Sequence, residues 1–253
     1  MTGLLMHLSA PWQSWGAPSD FKVRPTHRHP TRSALTGLIA AALGRPREHP
    51  NEDLAALSYT IRIDRPGHRE MDYQTIGGGY PREHTPPTAD GKRRKEGTET
   101  METERWYLAD AAFTVAVTGP GPVTDRAAHA LAAPVYAPYL GRRSCPPDTP
   151  ILLRAHLDDA VAELFQAPLH TAPPRGADTI DVTFLHDTPP TPDPPSTTTV
   201  RDVPGPGPGR TFTERDLWET HHPLPAGLCA GRGTSWINAL TTYLHPTPAL
   251  DAS

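Results

Sequence analysis

Apolar positions along this chain come in short stretches of helical or strand period, separated by runs rich in proline and glycine. Gly3 to Leu8 is an apolar run that predicts a short strand at the start of the chain. Leu35, Leu38, Ile39, Ala42 and Leu43 then fall at i, i+3, i+4, i+7 and i+8, one apolar stripe of helical period. Pro30 ends the preceding coil, and the hydroxyl of Thr31 or Ser33 can cap the helix. Gly44 ends it where glycine is favoured, and Pro46, with no N–H to give, bars a restart. Leu54 to Leu57 reads as a short helical stretch. Tyr59, Ile61 and Ile63 alternate with polar residues as a half-buried strand does.

Residues 65–104 break the pattern. They hold Gly77-Gly78-Gly79, several prolines, the basic run Lys92 to Lys95, and then Glu96, Glu99, Glu102 and Glu104. A loop this long without core periodicity is usually functional or disordered, and it is expected to project as a flexible hairpin or arm. After Trp106, alternation at Phe113, Val115 and Val117 predicts a strand. Thr124 to Ala133 predicts a helix ended by Pro134, and residues 151–157 a further strand. Strand, helix, strand, insertion, strand, helix, strand is the βαββαβ order of a ferredoxin-like fold, an α+β scaffold shared with RNA-recognition modules. Many functions use that scaffold, so the order alone proves none. Asp187 to Arg210 holds eight prolines and reads as a loop or extended edge.

Composition and charge add to this picture. With 253 residues the chain can bury one sizeable core. Its 32 prolines are clustered, which favours a folded body with irregular excursions. The formal net charge of −4 means that any nucleic-acid role must come from a local patch or a larger assembly. Cys145 and Cys229 match no metal or redox spacing and fit a reducing cytosol. The N-terminus does not read as a signal peptide, and no apolar stretch reaches membrane-spanning length, so a cytoplasmic protein is expected.

One local patch stands out. Phe21 to Arg47 carries Lys22, Arg24, Arg28, Arg32, Arg45 and Arg47, with His27 and His29, and no Asp or Glu. Arginine guanidinium groups fork onto phosphate oxygens, and a helix N-terminus after Thr31 offers free N–H groups to an anion. Thr26, Thr31 and Ser33 can add hydroxyl donors. The plain alternative is a solvated basic face. Trp12 and Trp15 can stack on splayed bases or fill the core, and Gln13 can read a base edge or fix its own loop. Arg142 and Arg143 follow Gly141 in a turn and either grip a phosphate backbone or form a surface pair. Neither His27-Arg28-His29 nor His221-His222 has Cys, Asp or Glu at ligand spacing, so no metal or other cofactor is expected.

Four segments in order resemble the CasD family, the type I-E Cascade members of the Cas-five group of repeat-associated RNA-binding proteins. They are Pro11-Trp12-Gln13-Ser14-Trp15-Gly16; Arg24-Pro25-Thr26-His27-Arg28-His29-Pro30-Thr31-Arg32-Ser33 with the helix that follows; Asp72-Tyr73-Gln74-Thr75 with Arg105 to Phe113; and Tyr139-Leu140-Gly141-Arg142-Arg143-Ser144-Cys145-Pro146. A weaker match is Arg201-Asp202-Val203-Pro204 with Thr213-Glu214-Arg215-Asp216. Gln74 stands where the family usually has His, and nothing beyond about residue 220 has a clear counterpart. The resemblance implies an RNA-recognition-like domain over residues 1–220, with a thumb-like hairpin at about 74–104. Residues 221–253 are then expected to be a flexible extension. It also implies a non-catalytic protein that binds the 5′ handle of CRISPR RNA beside the backbone subunit CasC and the large subunit CasA. The RNA-binding candidates are Gln13, Trp15, Lys22, Arg24, Thr26, His27, Arg28, Thr31, Arg32, Ser33, Tyr73, Arg105, Arg142 and Arg143. The competing class is a metal-independent endoribonuclease trimming the repeat, with its base and acid drawn from His27, His29, Tyr73 and Lys22.

Overall fold

The computed structural model describes residues 2–19, 22–46, 49–79, 81–85, 87–88, 90–94, 100–190, 198–204 and 211–245. Arg47, Lys95, Glu96, Glu99 and most of the proline-rich stretch before Arg210 lie outside the described residues. In chain order the strands begin with β1 (Thr2–Ser9) and four short ones, β2 (Trp12–Gln13), β3 (Trp15–Gly16), β4 (Val23–Arg24) and β5 (Thr26–His27). Helix α1 (Arg32–Ala42) follows, then β6 (Ser58–Arg65), β7 (His68–Ile76), β8 (Met101–Ala109) and β9 (Ala112–Gly119). Helix α2 (Gly121–Ala132), β10 (Leu152–Leu157), α3 (Ala160–Glu163), β11 (Thr179–His186), β12 (Thr198–Pro204), β13 (Phe212–Pro225) and α4 (Thr234–Leu244) complete the chain.

The helices form for the reasons visible in the sequence. Thr31 is the N-cap of α1, its hydroxyl accepting from Ala34 N at 3.3 Å. Gly44 sits at φ +74°, where the chain turns out of the helix. α2 begins three residues earlier than its apolar pattern suggests, because Pro120 is the N-cap and Pro122 lies in the first turn, where a missing N–H costs nothing.

A seven-stranded sheet runs in the order β10-β1-β9-β6-β11-β13-β12, each neighbouring pair antiparallel. Its first four strands are the fourth, first, third and second strands of the βαββαβ unit, the ferredoxin-like order. The expected α+β fold class is therefore the one observed. Alternation along β1 and β9 divides the core. Leu4, Met6, Leu8, Phe113, Val115 and Val117 pack under α1 and α2, with Leu35, Ile39, Ala127 and Leu131. Leu5, Ala116, Leu153, Val182 and Phe184 face the other way, against Leu164, Leu169, Trp236 and Leu240.

That second layer corrects the expected boundary at residue 220. β13 runs without a break through it, pairing Ile180 with Leu224 and His186 with Trp218. α4 then buries Trp236 and Leu240 on the sheet. The tail had no legible partner in sequence because the surface that it covers is assembled from β1, β9, β10 and β11. Between sheet and cover lies a buried polar cluster. Arg62 pairs with Asp64 at 2.6 Å, both fully buried, and donates to the carbonyls of Leu164, Ala167 and Pro168. His7 Nε2 meets His170 Nδ1 at 3.0 Å, and the His170 ring stacks on Trp236 at 4.4 Å.

β7 and β8 form a hairpin, paired from His68–Ala109 to Ile76–Met101. The arm thus begins at residue 68 as regular strand, inside the 65–104 stretch that lacks core periodicity and before the thumb boundary of about 74 that the resemblance implies. Its burial alternates exposed and half-buried because only one small sheet supports it.

Candidate nucleic-acid interface

β8 is the spine of the candidate site. It carries β7 along its length, β2 through Trp12–Ala109 and Gln13–Leu108, and β4 in parallel through Val23–Glu104 and Arg24–Arg105. Paired residues share a face, so Arg24 and Arg105 stand side by side, and the Trp12 ring reaches Tyr107. The turn after Tyr139 completes the site. Ser14 N donates to Leu140 O at 3.0 Å, and Gly141 at φ +88° comes so close that an added Cβ would lie 1.6 Å from the Ser14 carbonyl oxygen. Only glycine permits this approach. It delivers Arg142 onto the Tyr107 ring, 4.6 Å from its centroid, with Nη2 donating to Arg24 O at 3.1 Å. Arg142 Nη1 is buried without a hydrogen-bond partner.

The remaining candidates separate into exposed and internal groups. Arg28 and Arg143 are exposed, and neither has an ion-pair partner among the described residues. Exposed Arg24 and half-buried Arg105 likewise have no ion-pair partner among the described residues. Arg24 Nη1 donates to Ser19 Oγ at 3.3 Å, and Arg105 Nε to Thr103 Oγ1 at 3.4 Å. His27, half-buried, has its pKa lowered first by burial, then opposed by Asp202 and reinforced by Arg69. His29 is shifted down by burial as well. Lys22 pairs with Glu102 at 3.2 Å, and Tyr73, 52% exposed, has its hydroxyl pushed up by the same Glu102.

Several expected contacts are corrected. Gln13 is fully buried; its Nε2 donates to the carbonyls of Ala111 at 2.9 Å and Leu8 at 3.3 Å, and its Oε1 accepts from Trp15 Nε1. Trp15 is 1% exposed and sets its edge on Phe113. Thr26 accepts from Trp15 N at 2.8 Å, and Thr31 caps α1 with Ser33 at 3.2 Å from its hydroxyl. Apart from half-buried Ser33, these side chains build the loop from inside and offer no surface to a ligand. Arg32 is tied to Asp187, to the carbonyls of Ala55 and Leu57, and lies over Tyr59. The α1 N-terminus is no open anion site either. Asp202 Oδ2 accepts from Arg32 N at 2.7 Å, and Arg215 holds that carboxylate at 2.7 and 3.0 Å. Arg45 is likewise bound to Asp53 at 2.6 Å.

Tyr107 and, on the other face of the small sheet, Arg69 were not singled out in the sequence; Trp12 was, as able to stack on bases or fill the core, but it was not counted among the RNA-binding candidates. Trp12 is 39% exposed and stacked on Tyr107, while Arg69 is exposed and lies close enough to His27 to influence its titration. Trp12 and Tyr107 do fall within the family-like segments, which is the signal that could have found them; Arg69 lies outside them and carries none. Among the described residues, no three His, Cys, Asp or Glu side chains gather as a metal-holding group, and no helix is long and apolar enough to cross a membrane.

A ferredoxin-like sheet carrying a strand hairpin defines a class: α+β proteins built on the βαββαβ scaffold. Comparison with known proteins narrows it. Residues 3–217 match the family described as CRISPR-associated protein (Cas_Cas5), and the chain belongs to that family. It is 36% identical over 167 residues to the CRISPR system Cascade subunit CasD of Escherichia coli (strain K12), covering 59% of this chain and 69% of the relative. It resembles a chain of a solved CRISPR RNA-guided surveillance complex at 43% identity and TM-score 0.84, over 96% of this chain and 99% of that one. A second solved structure, titled as a Cas protein, matches at 29% identity and TM-score 0.63, over 91% and 98%.

Proposed function

We propose that this chain is a non-catalytic subunit of a CRISPR RNA-guided surveillance complex of the Cascade kind, holding the 5′ handle of crRNA and joining the large subunit CasA to the backbone subunit CasC. The observation that carries the reading is the cluster Arg24, Arg105 and Arg142, which has no carboxylate partner among the described residues; Arg142 lies over Tyr107, and Arg24 and Arg105 share the sheet face of Tyr107 and Trp12. Fixed cations with an aromatic surface suit a single strand, whose phosphates need charge and whose bases need a flat apolar face. Arg143 and Arg28, exposed and without an ion-pair partner among the described residues, are further candidates for phosphate contact, while Arg69, paired with Leu108, faces the other side of the small sheet. The relatives' names, Cascade subunit and RNA-guided complex, support the same assignment, and the β7–β8 hairpin is the element suited to reach a backbone subunit. Such complexes work in the cytoplasm.

The arrangement favours binding over cleavage. A nuclease needs a base and an acid on either side of one phosphate. Of the four candidate groups, Lys22 and the Tyr73 hydroxyl are engaged by Glu102, while His27 and His29 stand 5.9 Å apart with both pKa values lowered by burial, which favours the neutral form of each and leaves the pair short of a proton donor. Binding of labelled repeat-derived handle RNA tests the reading. Arg105→Ala with Arg142→Ala is expected to cut affinity at least tenfold at low salt. The slope of log K against log salt should fall by about 0.7 for each phosphate no longer neutralised. Metal-free turnover of repeat RNA that His27→Ala abolishes would reverse the assignment to an endoribonuclease.

A further inference from the structure

Trp12 is fixed from two sides. Its indole stacks on Tyr107 with ring centroids 4.6 Å apart and planes 27° apart. Its N–H donates to Glu70 Oε2 at 3.0 Å, and Glu70 Oε1 lies 2.9 Å from His68 Nε2. The Arg142 guanidinium also lies 4.6 Å from the Tyr107 centroid. Tyr107, 2% exposed, is thus covered by the indole and the guanidinium together. Trp12 nevertheless keeps 39% of its surface in solvent. With one face on Tyr107 and the N–H edge on Glu70, that exposure belongs to the other face and the benzo edge.

A single exposed tryptophan is ordinary on a protein surface. This one is oriented by a carboxylate and backed by a buried ring, on a sheet face that also carries Arg24 and Arg105, which have no ion-pair partner among the described residues. We propose that Trp12 is the stacking platform for one unpaired base of the RNA strand held at this face, an inference that rests on the function proposed above. The charges set the polarity of the contact. Glu70 beside the indole repels phosphate, while Arg24, Arg105 and Arg142 attract it, so the backbone runs on the arginine side and a base turns onto the ring. Stacking needs only a π face, so the subsite takes any base and adds affinity without reading sequence.

The test uses handle RNA carrying 2-aminopurine at each position in turn, titrated with wild type, Trp12→Leu, Trp12→Phe and Arg105→Ala. Stacking on the indole is expected to quench one reporter position in wild type. Trp12→Leu, which keeps the apolar bulk over Tyr107, should abolish that quench and weaken binding about tenfold. Trp12→Phe should retain most of the affinity. Equal thermal midpoints of the variants tie the weakening to the stacked base. If Trp12→Leu binds and quenches as wild type does while Arg105→Ala binds more weakly, the platform is overturned and the cationic site stands. If wild type itself does not bind the RNA, both readings fall.

Discussion

Arg28 and Arg32 are four residues apart in one acid-free segment, yet they end in opposite environments. Arg32 meets Asp187, a residue 155 positions away, and two carbonyls of the turn before β6. Arg28 is exposed, without an ion-pair partner among the described residues. The two alanine variants should therefore differ in kind. Arg28→Ala is expected to weaken handle-RNA binding about tenfold, the worth of one charge-assisted hydrogen bond, with an unchanged thermal midpoint. Arg32→Ala should lower stability by about 3 kcal/mol, since it leaves the nearly buried Asp187 carboxylate without its partner. Denaturant titration beside RNA titration checks both. If Arg32→Ala is stable but weak in binding, it belongs to the site after all. The same divergence separates Trp12 from its near neighbour Trp15. Trp12 lies on β2, at the edge of the small sheet beside β8, whereas Trp15 lies on β3, paired with β5, and turns into the core against Phe113.

At the scale of elements, the segment from Leu164 to Thr171 acts as a clasp. Arg62 and Arg65 donate to its carbonyls, and its backbone pairs with Leu228, Ala230 and Gly231 before α4. His7 and His170 meet at this clasp, and burial lowers their pKa to about 3 and about 4. An unfolded histidine titrates near 6.5, so between these values the unfolded chain binds more protons than the folded one. Stability is therefore complete above about pH 6.5 and lost as pH falls towards 4. His170 alone contributes on the order of 3 kcal/mol over that window. Urea midpoints measured from pH 7.5 to 4.5 should fall steadily in wild type and more gently in His7→Gln. A flat profile in wild type would show that the pair titrates normally.

At the scale of the molecule, the decisive feature is which sheet face is covered. RNA-recognition modules present bases to the sheet face opposite their helices. Here α3, the clasp and α4 fill that face, with Trp236 against His7 and His170; the RNA site proposed above therefore lies on the small sheet around β8. Trp236→Ala is expected to cost about 3–5 kcal/mol, as removal of a large core aromatic does. A thermal midpoint within a degree or two of wild type would mean that α4 is dispensable. Local order determined much of this by sequence alone. The helical stripe from Leu35 to Leu43, its Thr31 cap and its Gly44 stop, the alternation of β6 and β9, and the βαββαβ order depend on neighbours a few residues apart. The ordered segments that resemble a CRISPR-associated family were legible in the same way. Only the tertiary structure decided which cations stay free, which tryptophan is exposed, and where the tail goes. Asp187, Asp202 and Glu102 neutralise Arg32, the α1 N-terminus and Lys22 from strands far along the chain, and charge pairing depends on distance in space, which residue order does not specify.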